Sequence, residues 1–121
     1  MGYSVFMLLL ALACSKPPAP APLESAFAEP GPYLTTRTSR PMDDGTVAVI
    51  HAPRDTTGPV LIWNNGSGSD TTEYEALLEH LASWGFVVFG ADDGQMGTGE
   101  RGWELVELAR TEAESGELGA S

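Results

Sequence analysis

Few side chains in this sequence could do chemistry: the serines of Gly66-Ser67-Gly68-Ser69, the histidines His51 and His80, the acidic pair Asp92-Asp93 and one cysteine, Cys14. Serine hydrolysis needs a nucleophile on a sharp Gly-x-Ser-x-Gly turn, with a histidine and an acid to activate it. That pentapeptide is absent. Gly66-Ser67-Gly68-Ser69-Asp70 has the wrong spacing, and Ser115-Gly116 lacks the preceding glycine. His51 falls in a predicted strand and His80 on the polar side of a predicted helix, so structural roles are expected for both. One cysteine forms no intramolecular disulfide and, with two histidines, no convincing zinc site. Asp92-Asp93 lacks the D-x-[DN]-x-[DN]-G spacing of a calcium loop. The expectation is therefore no metal, no cofactor and no catalytic residue.

The glycine loops allow two further readings. Gly66-Ser67-Gly68 could cradle a nucleotide phosphate in a Rossmann-like unit, with Asp92 as the ribose-binding acid. Thr71 stands where the third glycine of that motif belongs, and no lysine supports a P-loop. Alternatively, both loops are only sharp connections in a non-catalytic surface or binding domain, because glycine supplies positive φ without steric cost. Trp63, Trp84 and Trp103 are expected as core and rim packing rather than a ligand cage.

Whatever the loops do, the framework is small. The chain has 121 residues, 42% of them hydrophobic, with 14 Gly, 9 Pro and a formal charge of −11. That leaves room for one small domain. A formal charge of −11 with a single lysine among six basic residues argues against a nucleic-acid binder, which needs clustered cations against phosphates. From Asp70 onward 12 acidic residues face two arginines, as on solvated helix surfaces.

Val5 to Ala13 is an unbroken apolar run, too short to span a bilayer, which takes about 20 residues. It reads as a signal-peptide core (1–13), with Ala11-Leu12-Ala13 as the small-x-small pattern before cleavage. Leu10-Ala11-Leu12-Ala13-Cys14 resembles the lipobox of bacterial lipoproteins, although Ala11 stands where that family prefers leucine. The resemblance implies that Cys14 is acylated and holds the protein on a membrane. Ser15 after the cysteine resembles outer-membrane sorting. The plainer alternative is a secreted or periplasmic protein. Residues 14–32, rich in proline, are expected as an extended tether; 33–115 form the domain and 116–121 a flexible tail.

Within that domain, Leu34–Thr38 and Thr46–Ala52 suggest an antiparallel pair across the turn-like Asp43-Asp44-Gly45. Val60–Trp63 and Phe86–Phe89 are apolar at every position, as in parallel strands buried on both faces. Between them, Thr72 and Glu75 fit a capping box, Tyr74, Leu77, Leu78 and Leu81 form an apolar face, and Gly85 ends the helix. This is a βαβ unit. A second helix is expected from about Gly102, with Leu105, Val106, Ala109 and Ala113 inward. The fold class is α/β, with an incomplete sheet.

The run Gly58-Pro59-Val60-Leu61-Ile62-Trp63-Asn64-Asn65-Gly66-Ser67-Gly68 is followed by Tyr74, Leu77-Leu78, Leu81-Ala82-Ser83, Gly85-Phe86-Val87-Val88, Asp92 and Gly97-Thr98-Gly99. Together they resemble the N-terminal third of an α/β-hydrolase, nearest in pattern to cutinase-like polyester hydrolases and dienelactone-hydrolase-type esterases. The resemblance covers about residues 45–110. It implies a partial α/β-hydrolase fold and an oxyanion-hole loop of Asn65, Gly66 and Ser67. In that loop Gly66 is the family's glycine, Ser67 gives the backbone N–H, and Asn65 replaces the usual His or Pro. The activity implied is hydrolysis of carboxylic esters, by an ester substrate's encounter with a completed site. This chain lacks the nucleophile, and its histidines come too early for the family order. The expectation is a truncated or frameshifted reading frame, a missing half supplied by another chain, or marginal stability, with Val60–Trp63 at an open sheet edge.

Overall fold

The computed structural model describes residues 23–118. A short helix, α1 (Leu23–Ala28), precedes an antiparallel pair, β1 (Thr35–Pro41) and β2 (Val47–Pro53). Then come β3 (Val60–Ile62), a 3-10 turn over Thr71–Tyr74 that runs into α2 (Glu75–Ser83), β4 (Val87–Ala91) and α3 (Glu100–Ser115). The four strands make one mixed sheet in the order β1-β2-β4-β3. Only β3 and β4 are parallel, Val60 facing Val87 and Ile62 facing Phe89. The architecture is α/β, with β3 on one outer edge and β1 on the other.

Strand alternation sends the two halves of the core to opposite faces. Ala48, Ile50 and Ala52 of β2 join Val87, Phe89 and Ala91 of β4 beneath Leu105 and Ala109 of α3. On the other face lie Val49, His51, Val88 and Gly90, where Leu78 of α2 approaches Gly90. β4, central and buried at all five positions, matches its apolar run. β3 does not: it is half-buried, with Val60 40% exposed, because an edge strand has a neighbour on one side only.

Three local expectations change. Thr72 and Glu75 do not form a capping box; Asp70 caps the turn, its Oδ1 accepting from the Thr72 N–H at 2.9 Å. The acid two residues upstream reaches that N–H, so the 3-10 turn forms first. Ala113 faces solvent while Glu112 is buried, its carboxylate 3.0 Å from the Arg40 guanidinium. Burial pushes the Glu112 carboxyl up, and Arg40 opposes that. Trp103 is 64% exposed, not packed.

The expected tether also changes over its described part. Phe27 of α1 meets Trp84 edge-on at 4.6 Å, and the Trp84 indole N–H donates to the Glu29 carbonyl. Gly31 N–H donates to Ser83 Oγ, and Tyr33 N–H to the Ser83 carbonyl. Residues 27–33 are thus fastened to the end of α2 rather than extended into solvent. Of the expected tail, Gly116 closes α3 in the left-handed conformation, and the Glu117 N–H reaches back to the Glu112 carbonyl, a Schellman closure. Leu118 packs against the core. Cys14 and the apolar run Val5 to Ala13 lie outside the described residues.

Candidate functional site

In open α/β sheets, ligand chemistry gathers at the carboxyl ends of the parallel strands. Two loops meet there, 63–70 after β3 and 92–99 after β4. The Gly68 N–H donates to the Gly94 carbonyl at 2.8 Å, and a Cβ on Gly94 would lie 3.3 Å from the Gly68 Cα. Gly68 takes φ +82° in a turn closed by the Ser69 N–H on the Gly66 carbonyl. Glycine is required at Gly68, since a Cβ disfavours positive φ.

Of the three residues assigned to the oxyanion-hole loop, Asn65 differs from the other two. Asn65 is buried; its Nδ2 donates to the carbonyls of Ala91 at 2.6 Å and Asp93 at 3.2 Å, and its N–H meets the Met96 sulfur. It braces one loop against the other. Gly66 and Ser67 are exposed, and among the described residues nothing accepts from the Ser67 N–H. A Cβ on Gly66 would sit 3.1 Å from the Tyr74 hydroxyl, whose ring lies tilted against Trp63 at 5.1 Å. An unbonded N–H on a braced loop is the part of an oxyanion hole that a backbone supplies. Trp63 Nε1 and Asn65 Oδ1 are buried without a partner among the described residues, at a cost of about 1–3 kcal/mol each.

Among the described residues no triad surrounds Ser67. His51 sits in β2, beside a cleft of about 250 Å³ lined by Arg37, Glu75 and Glu79. Burial, and then Arg37, hold its imidazole below the usual range, while the two glutamates oppose them. His80 bonds the Phe27 carbonyl at 2.7 Å. Neither histidine is bonded to Ser67. The nucleotide reading is also poorly served: Asp70 occupies the Thr72 N–H, and Glu73 and Glu75 follow in the first turns. These are charges a phosphate would meet with repulsion. Asp92, the candidate ribose acid, accepts from the Thr71 hydroxyl. Among the described residues no group of three or more His, Cys, Asp or Glu could hold a metal ion.

Sequence reading missed Arg101. Its guanidinium binds Asp93 at 2.9 Å, Asp44 of the β1–β2 turn and Glu104, so one cation ties the second loop to the hairpin. The available signal was its rarity, one of two arginines among 12 acids after residue 69. Hydrogen bonds from Arg101 hold the Asp44 and Asp93 carboxyls below the ordinary carboxylate range. Depressed folded-state values give stability that is present above about pH 4, the unfolded value, and lost as pH falls through the folded ones. Arg101→Leu is expected to flatten the fall of the urea midpoint between neutral pH and strong acid. A variant that keeps the wild-type slope would show that Arg101 does not set these protonations.

A scan against protein-family models matches no family, and a search of curated proteins finds no similar sequence. No helix among the described residues is long and apolar enough to cross a membrane.

Proposed function

We propose that this chain is the N-terminal portion of an exported carboxylic-ester hydrolase of the α/β-hydrolase family, contributing an oxyanion-hole loop without nucleophile, acid or catalytic histidine. One observation carries the reading: after β3, at the carboxyl end of a parallel strand, a braced Gly66-Ser67 loop presents an N–H that nothing among the described residues accepts. The hydrolase site takes one of its two oxyanion N–H groups from the loop between its third strand and the following helix. A second feature supports the reading. Among the described residues no strand pairs with the outer edge of β3, and in that fold the strand bearing the nucleophile pairs there. An acyl group would need the serine and histidine of that further strand and its loops, so the 121 residues alone would not turn over an ester.

The purified chain is expected to give no enzymatic hydrolysis of p-nitrophenyl butyrate. Turnover lost on Ser67→Ala would overturn the assignment of Ser67 as a backbone donor only. The DNA beyond codon 121 is expected to encode Gly-x-Ser-x-Gly in some frame; its absence there and from any co-expressed partner would overturn the hydrolase reading. The export part of the proposal rests on Val5 to Ala13 and the membrane anchor on Cys14. Labelled palmitate should appear on the wild type and not on Cys14→Ala.

A further inference from the structure

The two edges of the sheet are finished differently. β1 carries Arg37, Arg40 and Pro41 among threonine and serine, the charges and proline that keep an edge from pairing. β3 carries none of these, and residues 58–69 hold no charged side chain in a chain of formal charge −11. The Val87 N–H bonds the Pro59 carbonyl, and the Trp63 N–H bonds the Phe89 carbonyl. Pro59, Leu61 and Trp63 therefore turn their backbone groups toward β4. In a parallel ladder the alternate residues turn away, so Val60 and Ile62 direct two N–H and two C=O groups outward.

We propose that a second copy of this chain docks there, β3 pairing antiparallel with its twofold mate about Leu61. In an antiparallel pair, directly opposed residues exchange both hydrogen bonds. Val60 opposite Ile62 of the mate, and Ile62 opposite Val60, satisfy all four outward groups on each strand with no residue left over. The interface is isologous, as a twofold dimer requires, and it joins two sheets into one of eight strands. Side chains fit the same operation. Val60 is 40% exposed beside Ile62 on the α3 face, and Leu61 meets its twin on the other face. Two chains of this charge repel except where an uncharged surface meets an uncharged surface, and residues 58–69 are such a surface. The proposal stands on the sheet alone. A hydrolase strand would compete for the same edge, so the dimer is the state of the chain by itself.

Sedimentation velocity across the micromolar range is expected to give twice the chain mass for the wild type. Val60→Pro removes one outward N–H without touching a bond to β4, and Val60→Lys keeps that N–H but places a charge on the edge. Each should raise the dimer dissociation constant by about tenfold or more, with the far-ultraviolet circular dichroism unchanged. If Val60→Pro fails to fold, Val60→Lys carries the test. A wild type that is monomeric throughout, with the edge left to a different strand, would overturn the proposal. So would a dimer that persists in the variants with wild-type affinity.

Discussion

Phe89→Ala is expected to remove about 3–5 kcal/mol of folding stability, the range for deleting a fully buried aromatic side chain. Phe89 has no exposed surface and stands at the centre of the sheet, opposite Ile50 of β2 on one side and Ile62 of β3 on the other. Its ring lies in the cluster capped by Leu105 and Ala109. Truncation leaves a cavity between elements that are braced from both faces, so little collapse can fill it. Domains of this size have about 5–15 kcal/mol in total, so the loss is a large share of it. The urea midpoint should fall by roughly 2 M, given slopes of about 1–3 kcal/mol/M. Leu34→Ala is the control. Leu34 is also large and apolar but 67% exposed, and its loss should stay within about 0.5 kcal/mol. A loss below about 1 kcal/mol for Phe89→Ala would mean that the core is loosely packed.

Phe89 also shows which parts of the molecule were legible in the sequence. The run Phe86–Phe89 is apolar on both faces, and only a central strand covered by helices on both sides satisfies such a run. Val60–Trp63 has the same pattern, yet β3 is half-buried. Periodicity records what a strand would bury in a full sheet, and not whether a second neighbour is present. The reach of Asn65 to Ala91 and Asp93, and of Arg101 to Asp44, spans 26 to 57 residues of sequence. No local spacing encodes those pairs. Asp70 displacing Thr72 as the cap was within reach of local reasoning, since an aspartate two residues before an N–H forms the same bond more strongly. The Gly66-Ser67 loop was placed by its position after a strand, and the brace that holds it came only from the folded chain.

The same crossing of distant segments sets the other large expected effect, at Gly58. A Cβ there would lie 1.9 Å from the Gly85 carbonyl oxygen and 3.1 Å from its carbon. Both are backbone atoms, so no rotamer change relieves the clash. Gly58 immediately precedes Pro59, whose carbonyl accepts the Val87 N–H at 2.9 Å and starts the β3–β4 ladder. To admit a methyl group, the start of β3 must move off the start of β4. Overpacking costs about 1–3 kcal/mol, and a broken rung adds about 0.5–1.5 kcal/mol, so Gly58→Ala should lose about 3 kcal/mol. Hydrogen exchange at the Val87 amide should speed up in step with that loss. Gly97→Ala is the contrast: nothing lies within 4 Å of its Cβ position and its φ is not positive. Restricting the unfolded chain there should raise stability by about 0.4–1 kcal/mol. Opposite signs for one chemical change at two glycines would locate the constraint at the β3–β4 crossing, and equal stability for the two variants would refute it.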